Sequence, residues 1–116
     1  MDTPKIFDSE SRFCLILWRE EPINSTKLAR ICREELGWSR TTTYTVIKRL
    51  SDRGVVKNEN ATVRSLVSKE QVQASEMDEL LEKTFEGSLP AFIAAFARRQ
   101  KLTEEEVAEL RRIIES

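Results

Sequence analysis

The feature that most constrains the fold is a pair of helical patterns joined by a three-residue link. Apolar residues recur at helical spacing over residues 25–36, and Asn24 precedes them as a candidate N-cap. Gly37 follows in the position where a left-handed residue commonly closes a helix. After the link "GWS", a second pattern covers about 39–53 with Ser39 as its N-cap. Helices joined this closely are typical of a helix-turn-helix unit.

The segments on either side extend this unit. An earlier helix is expected from about residue 9 to 19, with Asp8 as its N-cap and Phe13, Ile16 and Leu17 on its buried side. Pro22 prevents that helix from continuing. After the third helix, "VVK" and "TVRSLV" read as strands separated by the turn "NENA". Residues 1–67 are therefore predicted to form a winged helix-turn-helix domain.

The remaining residues, 68–116, are predicted to form a helical dimerisation domain. The capping boxes "SKEQ" and "TEEE" open two helices, and the short apolar segment "SLPAFIAAFARRQ" lies between them. Fewer than fifty residues cannot bury so many large apolar side chains alone. They either pack back on the first domain or meet a second copy of the chain, and we expect the second. The expected interface residues are Leu80, Leu81, Phe85, Leu89, Phe92, Phe96, Val107, Leu110, Ile113 and Ile114.

Three consecutive threonines open the third helix, although threonine costs roughly 0.5 to 0.7 kcal/mol relative to alanine in a helix interior. Thr43 shares helical spacing with the apolar residues that follow it, so packing explains it. The neighbouring threonines point outward, where a hydroxyl can bond a phosphate or base edge and a methyl can contact thymine. The expected DNA-binding residues are Arg40, Thr41, Thr42, Tyr44, Thr45, Lys48 and Arg49.

The charge distribution is compatible with such a surface, although the net charge is only −1. Residues 1–70 carry 13 Lys/Arg and 10 Asp/Glu, a net of +3, and the rest of the chain carries 6 and 10, a net of −4. Between Ser39 and Lys57 there are five cations and one anion, Asp52. A locally basic helix can bind phosphates in a nearly neutral protein, though an ordinary solvated helix face carries similar charges.

Several other functions are disfavoured by composition. The chain has no histidine, which removes histidine-based nucleophilic pairs and metal sites, and it has no Gly-rich phosphate loop. Cys14 and Cys32 lie within apolar helical patterns and are expected to be reduced, buried thiols. No apolar run is long enough to span a bilayer, and the N-terminus lacks a signal core. We expect a cytoplasmic protein that is not an enzyme and needs no cofactor or metal.

Four strings in order make the sequence similar to the penicillinase-repressor (BlaI/MecI/CopY) family of bacterial transcriptional repressors. They are "FDSESRFCLILW", "GWSRTTTYTVIKRLSDRG", "LVSKEQV" and "FEGSLPAFIAAFARRQKLTEEEVAELRRIIE", and together they cover nearly the whole chain. The resemblance implies a homodimer that represses transcription by occupying a palindromic double-stranded DNA operator. It places Arg40, Thr41, Thr42, Thr45 and Arg49 at the family's DNA-contacting positions.

The sequence departs from the family in three places. Members paired with a membrane sensor protease are inactivated by cleavage of an Asn-Phe bond, and the matching pair here is Ala95-Phe96, which lacks the asparagine. The wing "KNENATVRS" is about four residues shorter than usual and has Lys57 and Arg64 as its cations. The Cys-x-Cys motifs of the copper-responsive branch are missing. The alternative function is a winged-helix protein-interaction module that has lost DNA binding.

Overall fold

The computed structural model describes residues 3–116 and contains six helices with a small antiparallel sheet. This confirms the predicted fold class of a mainly helical chain with a winged helix-turn-helix. The chain divides into two compact units, the first ending at Glu76 and the second covering Met77–Ser116. The helices are α1 (Asp8–Glu20), α2 (Ser25–Leu36), α3 (Arg40–Asp52), α4 (Lys69–Phe85), α5 (Leu89–Arg99) and α6 (Glu104–Glu115); the strands are β1 (Ile23–Asn24), β2 (Val56–Glu59) and β3 (Thr62–Ser65).

Helix α1 begins one residue earlier than predicted. Phe7, and not Asp8, occupies the N-cap position, so the assignment of Asp8 as the cap was wrong. The Phe7 backbone N–H donates to the Glu10 carboxylate at 2.9 Å, which satisfies one of the free amides at the start of the helix. The predicted apolar stripe of Phe13, Ile16 and Leu17 is buried.

The boundaries of α2 match the prediction. The Asn24 side chain accepts hydrogen bonds from the backbone amides of Thr26 at 2.9 Å and Lys27 at 3.4 Å. Gly37 closes the helix in the left-handed region, at φ 69°, and its N–H donates to the Arg33 carbonyl. A side chain at this position would be strained by its backbone conformation. This cap sets the sharp turn that leads into α3.

The sheet has one strand more than the predicted hairpin. β1 pairs with β3 through Ile23 and Val63, which places β3 in the centre of the order β1-β3-β2. The turn of the hairpin is also tighter than expected, because Asn58 and Glu59 belong to β2 and only Asn60 and Ala61 form the connection. Asn60 and Ala61 both have positive φ, at 53° and 61°, as a two-residue type I′ turn requires.

The core of the first unit joins α1, α2 and α3 to the sheet. Its least accessible large side chains come from α1, α2, α3 and the strands, and the start of α4 adds Val72. The Trp18 indole N–H donates to the Val67 carbonyl at 3.0 Å, which anchors the end of the hairpin against α1. The buried side of α3 packs against α2 and β2 within this core.

The second unit consists of the end of α4 with α5 and α6. Thr103 and Glu106 form the predicted capping box of α6, with both hydrogen bonds at 3.0 Å. The Phe92 ring lies 5.5 Å from Phe85 and 6.3 Å from Phe96, centroid to centroid. Every residue of this unit is nevertheless exposed or half-buried. Among residues 3–116, no helix combines the length and apolar character needed to cross a bilayer.

Candidate nucleic-acid interface

Helix α3 has a buried side and an exposed side, as its sequence predicts. Thr43, Val46, Ile47 and Leu50 are all buried in the core. The opposite side is exposed and carries hydroxyl and cationic groups. It consists of Arg40, Thr41, Thr42, Thr45, Lys48 and Arg49. A single helix therefore combines a core contact with a polar surface suited to a DNA groove; direct contact of these residues with DNA stays a prediction.

The first turn of α3 is held by its cap. The Ser39 hydroxyl accepts a hydrogen bond from the Thr42 backbone N–H at 3.1 Å and lies 2.9 Å from the Thr42 hydroxyl. Thr42 is thus partly occupied with the cap, whereas Thr41 and Thr45 make no side-chain hydrogen bond to the residues that the structure describes. Among the exposed threonines, Thr41 and Thr45 have the hydroxyls most available to an outside partner.

Tyr44 links α3 to α2. It is half-buried, and its hydroxyl donates to Ser25 at 3.4 Å at the start of α2. The Arg40 guanidinium lies 5.6 Å from the centre of the Tyr44 ring. The hydrogen bond with Ser25 lowers the pKa of Tyr44, helped by Thr26 and Arg40 and opposed by burial. Tyr44 therefore positions α3 against α2 and holds Arg40 at the helix start.

The five cations between Ser39 and Lys57 differ in what they contact. Lys48 lies 3.8 Å from Asp52, and Lys57 lies 2.8 Å from Glu59, both as exposed ion pairs. Arg53 turns inward to pair with Glu10 and so contributes little to the basic surface. In the described part of the chain, Arg40 and Arg49 have no carboxylate partner. They are the cations of α3 most available to phosphates.

The wing carries few charges. Lys57 and Arg64 lie opposite each other in the register of β2 and β3, and Glu59 stands at the end of β2 facing Thr62. Lys57 lowers the pKa of Glu59, mainly through a hydrogen bond, with a weaker effect of Arg64. Arg64 is the wing cation without a carboxylate partner in the described residues.

Sequence reasoning missed a recess between α2 and α3. Its walls include Thr26, Arg30 and Arg33 from α2 together with Trp38 and Arg40. Arg30 and Arg33 are three residues apart on one helix, so their shared face could have been read from spacing alone. What spacing could not show is that the "GWS" link folds Arg40 back toward them.

The cysteines belong to the core and not to a site. Both are buried free thiols. Burial raises the pKa of Cys14 to about 12, with a smaller contribution of the same sign from Glu10, and Arg53 acts in the opposite direction. Burial also raises the pKa of Cys32, and the neighbouring Thr43 hydroxyl opposes that effect. Within residues 3–116, no group of three or more His, Cys, Asp or Glu is placed to hold a metal ion.

Comparison with known proteins agrees with this architecture. A sequence model of the family described as penicillinase repressor matches residues 6–116. The methicillin resistance regulatory protein MecI of Staphylococcus aureus strain Mu50 is 24% identical over 97% of this chain and 94% of its own length. The penicillinase repressor of Bacillus licheniformis is 26% identical over 97% of this chain and 91% of its own length. MecI of Mammaliicoccus sciuri is 23% identical over 97% of this chain and 94% of its own length.

These relatives are regulators and not enzymes, and the match to the family model spans both units of the structure. This chain belongs to the penicillinase repressor family.

Proposed function

We propose that this protein is a transcriptional repressor that occupies a palindromic operator as a homodimer and thereby blocks transcription. The observation that carries the proposal is the exposed row of hydroxyl and cationic side chains on α3, held by a buried row on the same helix. The family supports it, since its model is described as penicillinase repressor and the relatives are named penicillinase repressor and methicillin resistance regulatory protein. Such a function places the protein with the DNA in the cytoplasm.

In this proposal, α3 is the recognition helix. Its N-terminal residues would approach base edges in the major groove, as the second helix of a helix-turn-helix unit does. Thr41 and Thr45 would contact bases or phosphates through their hydroxyl and methyl groups, with Thr42 supporting the first turn. Arg40 and Arg49 would neutralise phosphates or read guanine, and Lys48 would exchange its weak contact with Asp52 for a phosphate. Tyr44 is half-buried, so only the exposed part of its side chain would contact the DNA backbone.

The second unit supports the homodimer. Large apolar side chains are exposed on all three of its helices, among them Leu80, Leu89 and Leu110. Exposed apolar surface of this kind often marks a site of protein association. A second copy would cover them. The residues proposed for the interface are Leu80, Leu81, Phe85, Leu89, Phe92, Phe96, Val107, Leu110, Ile113 and Ile114. A two-fold symmetric dimer would present two copies of α3 to two half-sites, which requires a palindromic operator.

Release from the operator through a membrane sensor protease is the less favoured part of the family's mechanism here. The Ala95–Phe96 bond lies inside α5, so that helix would have to unwind locally before a protease could bind it. Phe96 also packs near Phe92, at 6.3 Å between ring centroids. These contacts support a packing role for Phe96.

The test is fluorescence anisotropy of the purified protein with its own upstream DNA and with a scrambled duplex, over a series of salt concentrations. Tight, salt-sensitive binding that prefers the upstream DNA is expected. A footprint on that DNA should then show two protected half-sites related by a dyad. Absence of binding at low salt would reject the proposal in favour of a winged-helix protein-interaction module.

A further inference from the structure

We propose that the recess between α2 and α3 binds a phosphate of the DNA backbone next to the major-groove contacts of α3. This inference deepens the proposed function and rests on it. The recess is defined here by Thr26, Arg30, Arg33, Trp38 and Arg40. We call it the arginine recess.

The charge of the arginine recess favours an anion. Arg30, Arg33 and Arg40 all line it, and no acidic residue contributes to its walls within the described part of the chain. None of the three arginines pairs with a carboxylate among those residues. The nearby Glu35 is already engaged, since Arg19 pairs with it through two hydrogen bonds of 3.2 and 2.5 Å. Three guanidinium groups around one depression therefore keep their charge uncompensated.

The chemistry of the walls fits a phosphate group. An arginine presents several N–H donors in a planar fork that matches the oxygens of a phosphate. Thr26 and Trp38 complete the lining beside these arginines, with one hydroxyl-bearing side chain and one aromatic side chain. The Trp38 ring itself is fixed, because it stacks on Phe13 in the core at 6.1 Å between centroids with an interplanar angle of 5°.

The position of the arginine recess identifies DNA as the source of the phosphate. Arg40 lines this recess and also the shallow surface formed by Thr41, Tyr44, Thr45 and Lys48 on the exposed side of α3. One residue therefore borders both surfaces. A duplex lying against α3 would pass its sugar-phosphate backbone over the start of that helix, toward α2. The contact would add affinity without reading sequence.

The test compares Arg30→Ala and Arg33→Ala with Arg12→Ala in the full-length protein. Arg12 is an exposed cation of α1 outside the recess, so its removal changes the net charge equally. Binding to upstream and scrambled DNA is measured by anisotropy over a salt series. Each recess variant is expected to weaken binding about tenfold on both DNAs, a loss typical of a charged hydrogen bond. The slope of log K against log salt should fall by about 0.9 for each lost phosphate contact, and Arg12→Ala should change neither quantity.

Unchanged slopes in both recess variants would overturn the inference. If the wild type binds both DNAs equally, the repressor proposal fails, but the slopes still decide the role of the recess. A second arm titrates the DNA-free protein with inorganic phosphate and follows tryptophan fluorescence. A saturable change that Arg33→Ala removes, together with unchanged DNA slopes, would assign the recess to a free phosphate and reject the DNA contact. Thermal melts followed by circular dichroism confirm that the variants fold.

Discussion

The Ser39 hydroxyl caps the start of α3, where it accepts a 3.1 Å hydrogen bond from the Thr42 amide and lies 2.9 Å from the Thr42 hydroxyl. A serine N-cap stabilises a helix by typically about 1 kcal/mol. Thr42 therefore contributes to the helix as well as to its surface. The Thr45 side chain, three residues further on, makes no hydrogen bond within the described residues. A substitution at Thr45 therefore tests the proposed DNA contact without disturbing the helix cap.

Thr45→Ala should weaken operator binding while leaving the protein equally or slightly more stable. Alanine is the better helix former by up to about 0.7 kcal/mol, and the substitution removes a hydroxyl that makes no hydrogen bond to any of residues 3–116. Thr84→Ala, an exposed threonine in α4, is the matched control and should leave affinity unchanged. Anisotropy and thermal melting measure the two quantities. A loss of stability in Thr45→Ala with unchanged affinity would show that this threonine is structural.

Thr43→Val should stabilise the protein by about 1 kcal/mol without affecting DNA binding. Thr43 is fully buried, and its hydroxyl has no hydrogen-bond partner of normal geometry in residues 3–116. A buried hydroxyl without a partner costs about 1 to 3 kcal/mol, and valine has nearly the same shape. Urea denaturation measures the gain. A loss of stability would mean that the Thr43 hydroxyl forms a stabilising hydrogen bond with the Cys32 thiol.

Arg53→Ala should destabilise the first unit by about 3 kcal/mol or more. Arg53 pairs with Glu10, whose side chain is only 5% exposed, so the substitution leaves a buried carboxylate without its cation. Adding Glu10→Gln to Arg53→Ala should recover part of the loss, because it removes that charge. Urea denaturation of the single and double variants provides the comparison. Equal stability of the wild type and Arg53→Ala would show that water replaces the guanidinium.

The stability of the protein should fall as the pH rises above about 9. Burial raises the pKa of Cys14 from 9.0 to about 12, so the unfolded chain loses this proton at lower pH than the folded one. Stability is therefore complete below the unfolded pKa and is lost as the pH rises from about 9 to about 12, at up to about 1.4 kcal/mol per pH unit. Cys14→Ala should show a shallower alkaline loss in urea denaturation at pH 7 to 11. If the wild type and Cys14→Ala lose stability identically with rising pH, Cys14 is not the group whose ionisation destabilises the folded protein.

Leu110→Glu should convert a dimer into a monomer. Leu110 is 39% exposed on the apolar side of α6, and a carboxylate there would have to be desolvated in the proposed interface. Ala108→Glu places the same charge on the opposite side of that helix and should leave the dimer intact. Light scattering measures the molar mass. An unchanged mass in Leu110→Glu would exclude this interface.

The helices, most of their caps and the two sides of α3 could be predicted from the sequence. Asn24, Ser39, Thr103 and Gly37 act on backbone groups within three or four residues, and apolar spacing is equally local. These features could be read without knowing any distant neighbour. The Phe7 cap was missed because Glu10 supplies the bond from within the helix, and side-chain identity at position 7 gives no sign of it.

The tertiary structure decided what depends on residues far apart in the chain. The pairing of Ile23 with Val63 creates the third strand of the sheet. Arg53 pairs with Glu10, 43 positions earlier in the chain, and this ion pair removes one cation from the basic surface expected around α3. The arginine recess likewise needs the Gly37 turn to bring Arg40 beside α2. Local patterns carry no information about which distant groups meet, because those contacts are selected by the packing of the whole core.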